Sequence, residues 1–216
     1  SGESGVYWAW DGGTSTASNT DGSITSSVRA SQTNGFSIVT WSGNSQNATV
    51  GHGLGAVPEL IIHKRRNGAA SWIVYHKDVG NNKAMQLNAS DSAIQAAYFD
   101  NKSPTSTIFN VSDYDETNRT GSNYVAYCWT PVENYSAFGS YTGNGSSDGP
   151  FVYTGFKVGW LMIKNISTSN ETWTIHDSTR DVDNPAEHRL LPNSDSDEST
   201  GTSARFKDLL SNGFKI

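Results

Sequence analysis

The residues best suited to chemistry in this chain are two acidic runs, Asp181-Val182-Asp183-Asn184 and Asp195-Ser196-Asp197-Glu198, together with five histidines and one cysteine. Clustered carboxylates are hard oxygen ligands of the kind that hold calcium in extracellular loops. Neither run has the glycine and the terminal bidentate glutamate at loop spacing, so both read as solvated acidic turns and no metal is expected. The histidines fall into no ligand spacing; His76 and His176 recur at near-equivalent places in a sequence repeat, which needs no metal to explain it. Cys128 is alone, which excludes an internal disulfide and a thiolate zinc cluster, and inside the apolar run Tyr124 to Trp129 it reads as a small buried hydrophobe.

Catalytic signatures are absent from the sequence: it has no Gly-x-Ser-x-Gly elbow, no His-Glu-x-x-His and no phosphate-cradling loop with its lysine. Gly51-His52-Gly53-Leu54-Gly55 is glycine-rich, but it runs to Pro58 and a further strand, so no helix dipole stands behind it to hold an anion. No pair of carboxylates marks itself out for sugar hydrolysis. Neither an enzyme nor a cofactor is expected. One binding chemistry remains: Trp41 and Tyr141, each followed by Ser/Thr-Gly-Asn, are suited to stack on a sugar face while Asn44 and Asn144 hydrogen-bond its hydroxyls. The plainer alternative is that these residues cap the core above an asparagine-containing hairpin turn.

Charge narrows the partners further. The net charge is −6, and the single basic run, Lys64-Arg65-Arg66, ends at the hairpin signal Asn67-Gly68 and reads as a solvated strand end. No basic face is present to neutralise phosphates, so neither nucleic acid nor an anionic membrane is an expected partner. No apolar stretch approaches the roughly 18 residues of a membrane-spanning helix. Hydrophobic residues make up 35% and charged residues 17% of the 216, so neutral Ser, Thr, Asn and Gly must cover the surface.

The elements that would position these residues come from a repeat with an offset of roughly 100 residues. Thr40-Trp41-Ser42-Gly43-Asn44 returns as Ser140-Tyr141-Thr142-Gly143-Asn144, Leu60-Ile61-Ile62-His63-Lys64 as Trp160-Leu161-Met162-Ile163-Lys164, and Trp72-Ile73-Val74-Tyr75-His76 as Trp173-Thr174-Ile175-His176-Asp177. Val6-Tyr7-Trp8-Ala9-Trp10 in turn matches Val125-Ala126-Tyr127-Cys128-Trp129. The expected organisation is therefore a closing strand of a preceding unit over 1–10, a polar arm or linker over 11–34, a first unit over 35–134 and a second, truncated unit over 135–216. A longer multi-unit polypeptide, or a processed piece of one, would give this pattern.

Helical periodicity is nearly absent; Ala93 to Tyr98 offers at most a turn or two. Seven short strands are expected in the first unit: Phe36–Trp41, Ala48–Gly51, Leu60–Lys64, Trp72–His76, Ala84–Leu87, Thr107–Val111 and Tyr124–Trp129. That pattern predicts an all-β fold of two tandem, related β-sandwich-like units with an extended polar N-terminal arm. Alternation places Trp173 and Ile175 toward the core and Thr174 and His176 toward solvent, with Trp72 and Val74 inward in the first unit. Leu60-Ile61-Ile62 and Trp160-Leu161-Met162-Ile163 are apolar on both faces, which predicts either central strands covered on both sides or one face buried on a neighbouring unit or subunit. Ile61, Leu161 and Ile163 are thus candidate subunit contacts. In the polar arm Ile24 and Val28 are the apolar anchors, packing on their own or a neighbouring subunit, with a flexible linker as the alternative.

Four segments carry a resemblance: Gly35 to Asn44, Val50 to Pro58, Asn123-Tyr124-Val125-Ala126-Tyr127-Cys128-Trp129, and Phe138 to Gly145, joined by Val6 to Gly13. They resemble a repeat domain of unassigned function in virion proteins of tailed phages, notably those of marine bacteria and cyanobacteria. The resemblance implies a structural module of a virion appendage such as a tail fibre, spike or surface fibre. It implies extracellular placement on the virion, self-assembly as a homotrimer or higher oligomer, and contact with other virion proteins and the host surface. A glycan-binding adhesion domain is the alternative, and a polysaccharide depolymerase a third reading. The resemblance brings no catalytic residues with it.

Overall fold

The computed structural model describes residues 2, 5–200 and 207–216, and no helix occurs among them. The first half carries ten strands: β1 (Thr16–Asn19), β2 (Ser26–Ser31), β3 (Phe36–Ser42), β4 (Ala48–Gly51), β5 (Leu60–Arg65), β6 (Ile73–His76), β7 (Lys83–Gln86), β8 (Ile94–Gln95), β9 (Ile108–Val111) and β10 (Asn123–Trp129). Eight of them form one antiparallel sheet in the order β1-β2-β3-β10-β5-β6-β7-β8, while β4 and β9 pair separately. The all-β expectation holds, and all seven strands expected in the first unit are present. Ala93 to Tyr98 contributes a two-residue strand, β8, in place of a helical turn.

Strand alternation divides the main sheet into two apolar faces. On one face Val39 and Trp41 of β3, Tyr124, Ala126 and Cys128 of β10, Ile61 of β5 and Ile73 and Tyr75 of β6 pack under Val50, Phe109 and Val111 of the β4–β9 pair. The opposite face presents Leu60, Ile62, Val74 and Met85, and here the second half of the chain lies down.

That second half supplies β11 (Phe151–Tyr153), β12 (Trp160–Ile163), β13 (Thr174–Asp177), β14 (His188–Arg189), β15 (Ser199–Thr200), β16 (Asp208–Leu210) and β17 (Gly213–Lys215). They form three small sheets, β11-β17-β16, β12-β13 and β14-β15, and no second eight-stranded one among the described residues. Met162 and Trp173 of the β12–β13 region join the cluster on the main sheet. Leu161 and Ile163, on the other side of β12, pack with Val158, Leu209 and Phe214. The described residues thus form four layers with three apolar seams: β4–β9, the main sheet, β12–β13, and β11-β17-β16.

The repeat survives at the level of register. Leu60 pairs with His76 and Ile61 with Tyr75; at the repeat offset Trp160 pairs with Asp177 and Leu161 with His176. Val50 faces Phe109, and Val152 faces Phe214. Lys64 reaches back to the carbonyl of Ala70, and Lys164 donates to the equivalent carbonyl of Glu171 at 2.6 Å. The Trp72 amide donates to Asn88 Oδ1 at 2.8 Å, and the Trp173 amide to Asn193 Oδ1 at 3.0 Å.

Three expectations change. The segment 11–34 contains a β-hairpin that widens the main sheet, because Ser26, Val28 and Ala30 alternate inward against Ser27 and Arg29, and the buried Ser26 hydroxyl is satisfied by the Gly51 carbonyl at 2.8 Å. Ile24 and Val28, its anchors, belong to the first seam of their own chain. His176, expected in solvent, is 1% exposed, because the β11-β17-β16 layer covers the face of β13 on which it lies. Ile61, Leu161 and Ile163 likewise owe their apolar character to the chain's own layers; Ile61 is fully buried, and the other two are half-buried.

Candidate functional site

The main sheet is broader than the layer that covers its second face, which leaves part of that face open. Across it the ladder sets Ser18 beside Ser27, Ser27 beside Thr40, and Ser42 beside Asn123. With Thr16 and the exposed Arg66 these side chains line a trough of about 590 Å³. Ser42 Oγ donates to Asn123 Oδ1 at 3.1 Å. The neighbouring turn holds the strand end: the Asn123 amide donates to Asn67 Oδ1 at 2.9 Å, and the Arg66 amide to the Asn123 carbonyl at 2.7 Å. The lining offers neutral hydroxyls, one amide and one guanidinium, and no carboxylate. Such a set can hydrogen-bond a polyhydroxylated ligand but supplies no general acid and base.

Sequence reasoning missed this surface because Thr16, Ser18 and Ser27 fall in the segment read as a polar arm or linker, apart from the strand that carries Thr40. The signal was present in the period-two alternation from Ser26 to Ser31, with small polar residues where apolar ones are usual.

The residues singled out for sugar stacking are placed otherwise. Trp41 touches the trough but is 4% exposed, its ring held between Tyr124 and Phe109 at 5.3 and 5.5 Å. Asn44 Oδ1 accepts from Asn118 Nδ2 at 2.7 Å and from the Gln46 amide at 3.1 Å. Asn144 does the same work in its own turn, accepting from the Ser146 amide at 3.1 Å and donating to the Asp148 carbonyl at 2.9 Å. Tyr141 is partly exposed and meets Phe214 edge-on, with ring centroids 6.3 Å apart. These four form core and turn and do not converge on one site.

A second surface lies on β11. Phe151 and Tyr153 project from it, 48% and 71% exposed. In the first half the matching strand, β4, is covered: the Ser23 amide donates to Thr49 Oγ1 at 2.8 Å, the Ile24 amide to the Thr49 carbonyl at 3.0 Å, and Asn19 lies against Gly51. No corresponding segment among the described residues covers β11.

His63, His176 and Cys128 are buried. His63 is fully buried among Trp41, Phe99 and Phe109, and burial holds its pKa down to about 3. Burial, with Lys207 and Arg180 nearby, lowers His176 to about 4. Burial pushes the Cys128 thiol up, away from nucleophilic use. In the acidic loops Asp181 accepts from the His188 amide at 2.9 Å and meets its Nδ1 at 2.6 Å. Arg180 bridges Asp177 and Glu198 at 2.7 and 2.6 Å. Among the described residues no group of three or more His, Cys, Asp or Glu is placed to hold a metal ion.

Fold and surface together define a layered antiparallel β protein with a neutral hydroxyl-lined face and an uncovered aromatic strand. The chain belongs to the family described as Domain of unknown function (DUF7483), which it matches over residues 1–216. No curated protein and no solved structure matches it.

Proposed function

We propose that the chain is a non-catalytic structural module of a phage virion appendage, a tail fibre, spike or surface fibre, working outside the cell by assembling with copies of itself. The resemblance of its repeated segments to virion proteins supplies the setting. The observation that carries the assembly reading is the uncovered pair Phe151 and Tyr153. The equivalent strand of the first half is roofed by residues 19–26, so this strand position takes a cover, and a second copy is the occupant proposed for β11. Aromatic side chains are the usual anchors of such contacts. Light scattering of the full chain tests it: a trimer or larger species is expected, falling to monomer in the Phe151→Ser, Tyr153→Ser double variant with unchanged circular dichroism. A monomer at every concentration would remove this reading.

A second reading, recognition of a neutral host glycan, is supported by the hydroxyl-lined trough and its single guanidinium. Here a glycan array with the native chain and with Arg66→Ala is decisive; binding that Arg66→Ala weakens tenfold or more favours it, and no binding to any neutral glycan rejects it.

A further inference from the structure

The two hairpins of the repeat differ in one respect. In the first half β5 is flanked on both sides, by β6 and by β10, with Trp129 opposite Leu60, Cys128 opposite Ile61 and Tyr127 opposite Ile62. In the second half β12 pairs with β13 alone, and its other edge has no ladder among the described residues. An unpaired strand edge exposes a row of amide and carbonyl groups that readily accept another strand.

The chain also contains a strand sequence without a sheet. Val6-Tyr7-Trp8-Ala9-Trp10 repeats the pattern of Val125-Ala126-Tyr127-Cys128-Trp129, with aromatics at the third and fifth places and a small residue between them. Among the described residues it pairs with nothing along its backbone, yet two of its side chains reach the start of β12: the Trp10 and Trp160 ring centroids are 5.6 Å apart and those of Trp8 and Trp160 6.4 Å. Orientation agrees as well. Tyr127 and Trp129 face the second seam from the main sheet, as Met162 does from β12. Trp10, the counterpart of Trp129, meets Trp129 itself across that seam at 6.0 Å, and Phe36 at 6.3 Å. Equivalent residues touching across the seam is what two related strand sets packed face to face would give.

We infer that Val6–Trp10 is the strand that completes the second hairpin, running antiparallel along the free edge of β12 with Trp10 opposite Trp160, Ala9 opposite Leu161 and Trp8 opposite Met162. The head of the chain then closes the layer made by its second half, as β10 closes the corresponding hairpin of the first. The occupant is the chain's own segment, because its two indoles already rest on Trp160 and the tether keeps its effective concentration at that edge high. This goes beyond the assembly reading and does not depend on it, since β11 and the edge of β12 are different surfaces.

A disulfide trap in the full-length chain tests both register and partner. Ala9→Cys with Leu161→Cys places two thiols directly opposite each other, whereas Ala9→Cys with Ile163→Cys sets them about 7–8 Å apart on the diagonal, beyond easy bridging. Cys128 is buried and does not compete. The expected result is an intramolecular crosslink in most of the first variant and little in the second. Failure of the first pair to close, equal closure of both pairs, or crosslinks between chains would each overturn the assignment. Hydrogen exchange of the native chain gives a second reading free of substitutions: β12 amides slowed about as much as those of β5 support it, and free-edge exchange along β12 refutes it.

Discussion

Trp41 and Tyr124 face each other across the β3–β10 ladder with their rings stacked, centroids 5.3 Å apart and planes 21° from parallel. The Tyr124 hydroxyl accepts from the Arg119 amide at 2.8 Å and donates to the Asp115 carbonyl at 2.9 Å. The pair therefore pins the loop before β10 to the centre of the core. It also explains why Trp41 is no sugar platform: the face that would stack on a ligand is stacked on tyrosine.

Tyr124→Phe keeps the stack and removes the hydroxyl, leaving the Arg119 amide and the Asp115 carbonyl without their shared partner. A loss of about 1–3 kcal/mol of unfolding free energy is expected in urea titration. Trp41→Ala, which opens a cavity between Tyr124 and Phe109, is expected to cost about 3–5 kcal/mol.

Trp173 joins the two halves. It is 3% exposed in the seam between the main sheet and β12–β13, and its indole donates to the Gln86 carbonyl on β7 at 2.9 Å. Trp173→Phe is expected to cost about 1–2 kcal/mol, through the lost hydrogen bond and some lost packing. Trp173→Ala should loosen the halves from each other, seen as faster hydrogen exchange in β7 and β13 together while β4 and β9 are unchanged.

Acid should weaken the fold through its buried histidines. His63 titrates near 3 in the folded chain and near 6.5 when unfolded, so between those values the unfolded state alone binds the proton. Its contribution is fully present above pH 6.5 and declines as pH falls toward 3, by about 1.4 kcal/mol per pH unit. His176 acts in the same direction. Urea midpoints measured at pH 7 and pH 5 should show the drop, and His63→Phe should reduce it, leaving the part that belongs to His176.

Arg180 ties the acidic loops to β13. Its side chain is 8% exposed and holds Asp177, itself buried, together with Glu198. Arg180→Met strands the Asp177 carboxylate and is expected to cost about 3–5 kcal/mol, whereas Glu198→Gln at the exposed end should cost under about 1 kcal/mol.

Strand positions were legible because β-branched and aromatic residues at period two are a local signal. Phe36 to Trp41 and Tyr124 to Trp129 needed no tertiary context to be read. What was not legible is which faces meet. Ile61 and Ile62 are the same residue type side by side, yet one packs under Phe109 and the other beneath the second half of the chain. His176 failed as a surface residue for the same reason, since a covering layer that includes the distant Leu209 and Phe214 decides its burial. The trough escaped notice because Ser18, Ser27 and Thr40 carry little hydrophobic contrast, and only pairing across three strands brings them together.

Gly51 and Tyr153 occupy the same place on matching strands of the two halves, each just after a valine that faces a phenylalanine, and they differ in what lies above them. A Cβ on Gly51 would collide with Asn19 Oδ1, whereas Tyr153 stands open to solvent. Residue size at this one strand position thus records whether a neighbouring segment is docked over it. In related chains, a glycine there would signal a roofed strand and an aromatic a bare one, so the cover of each repeat could be told from a single letter of its sequence.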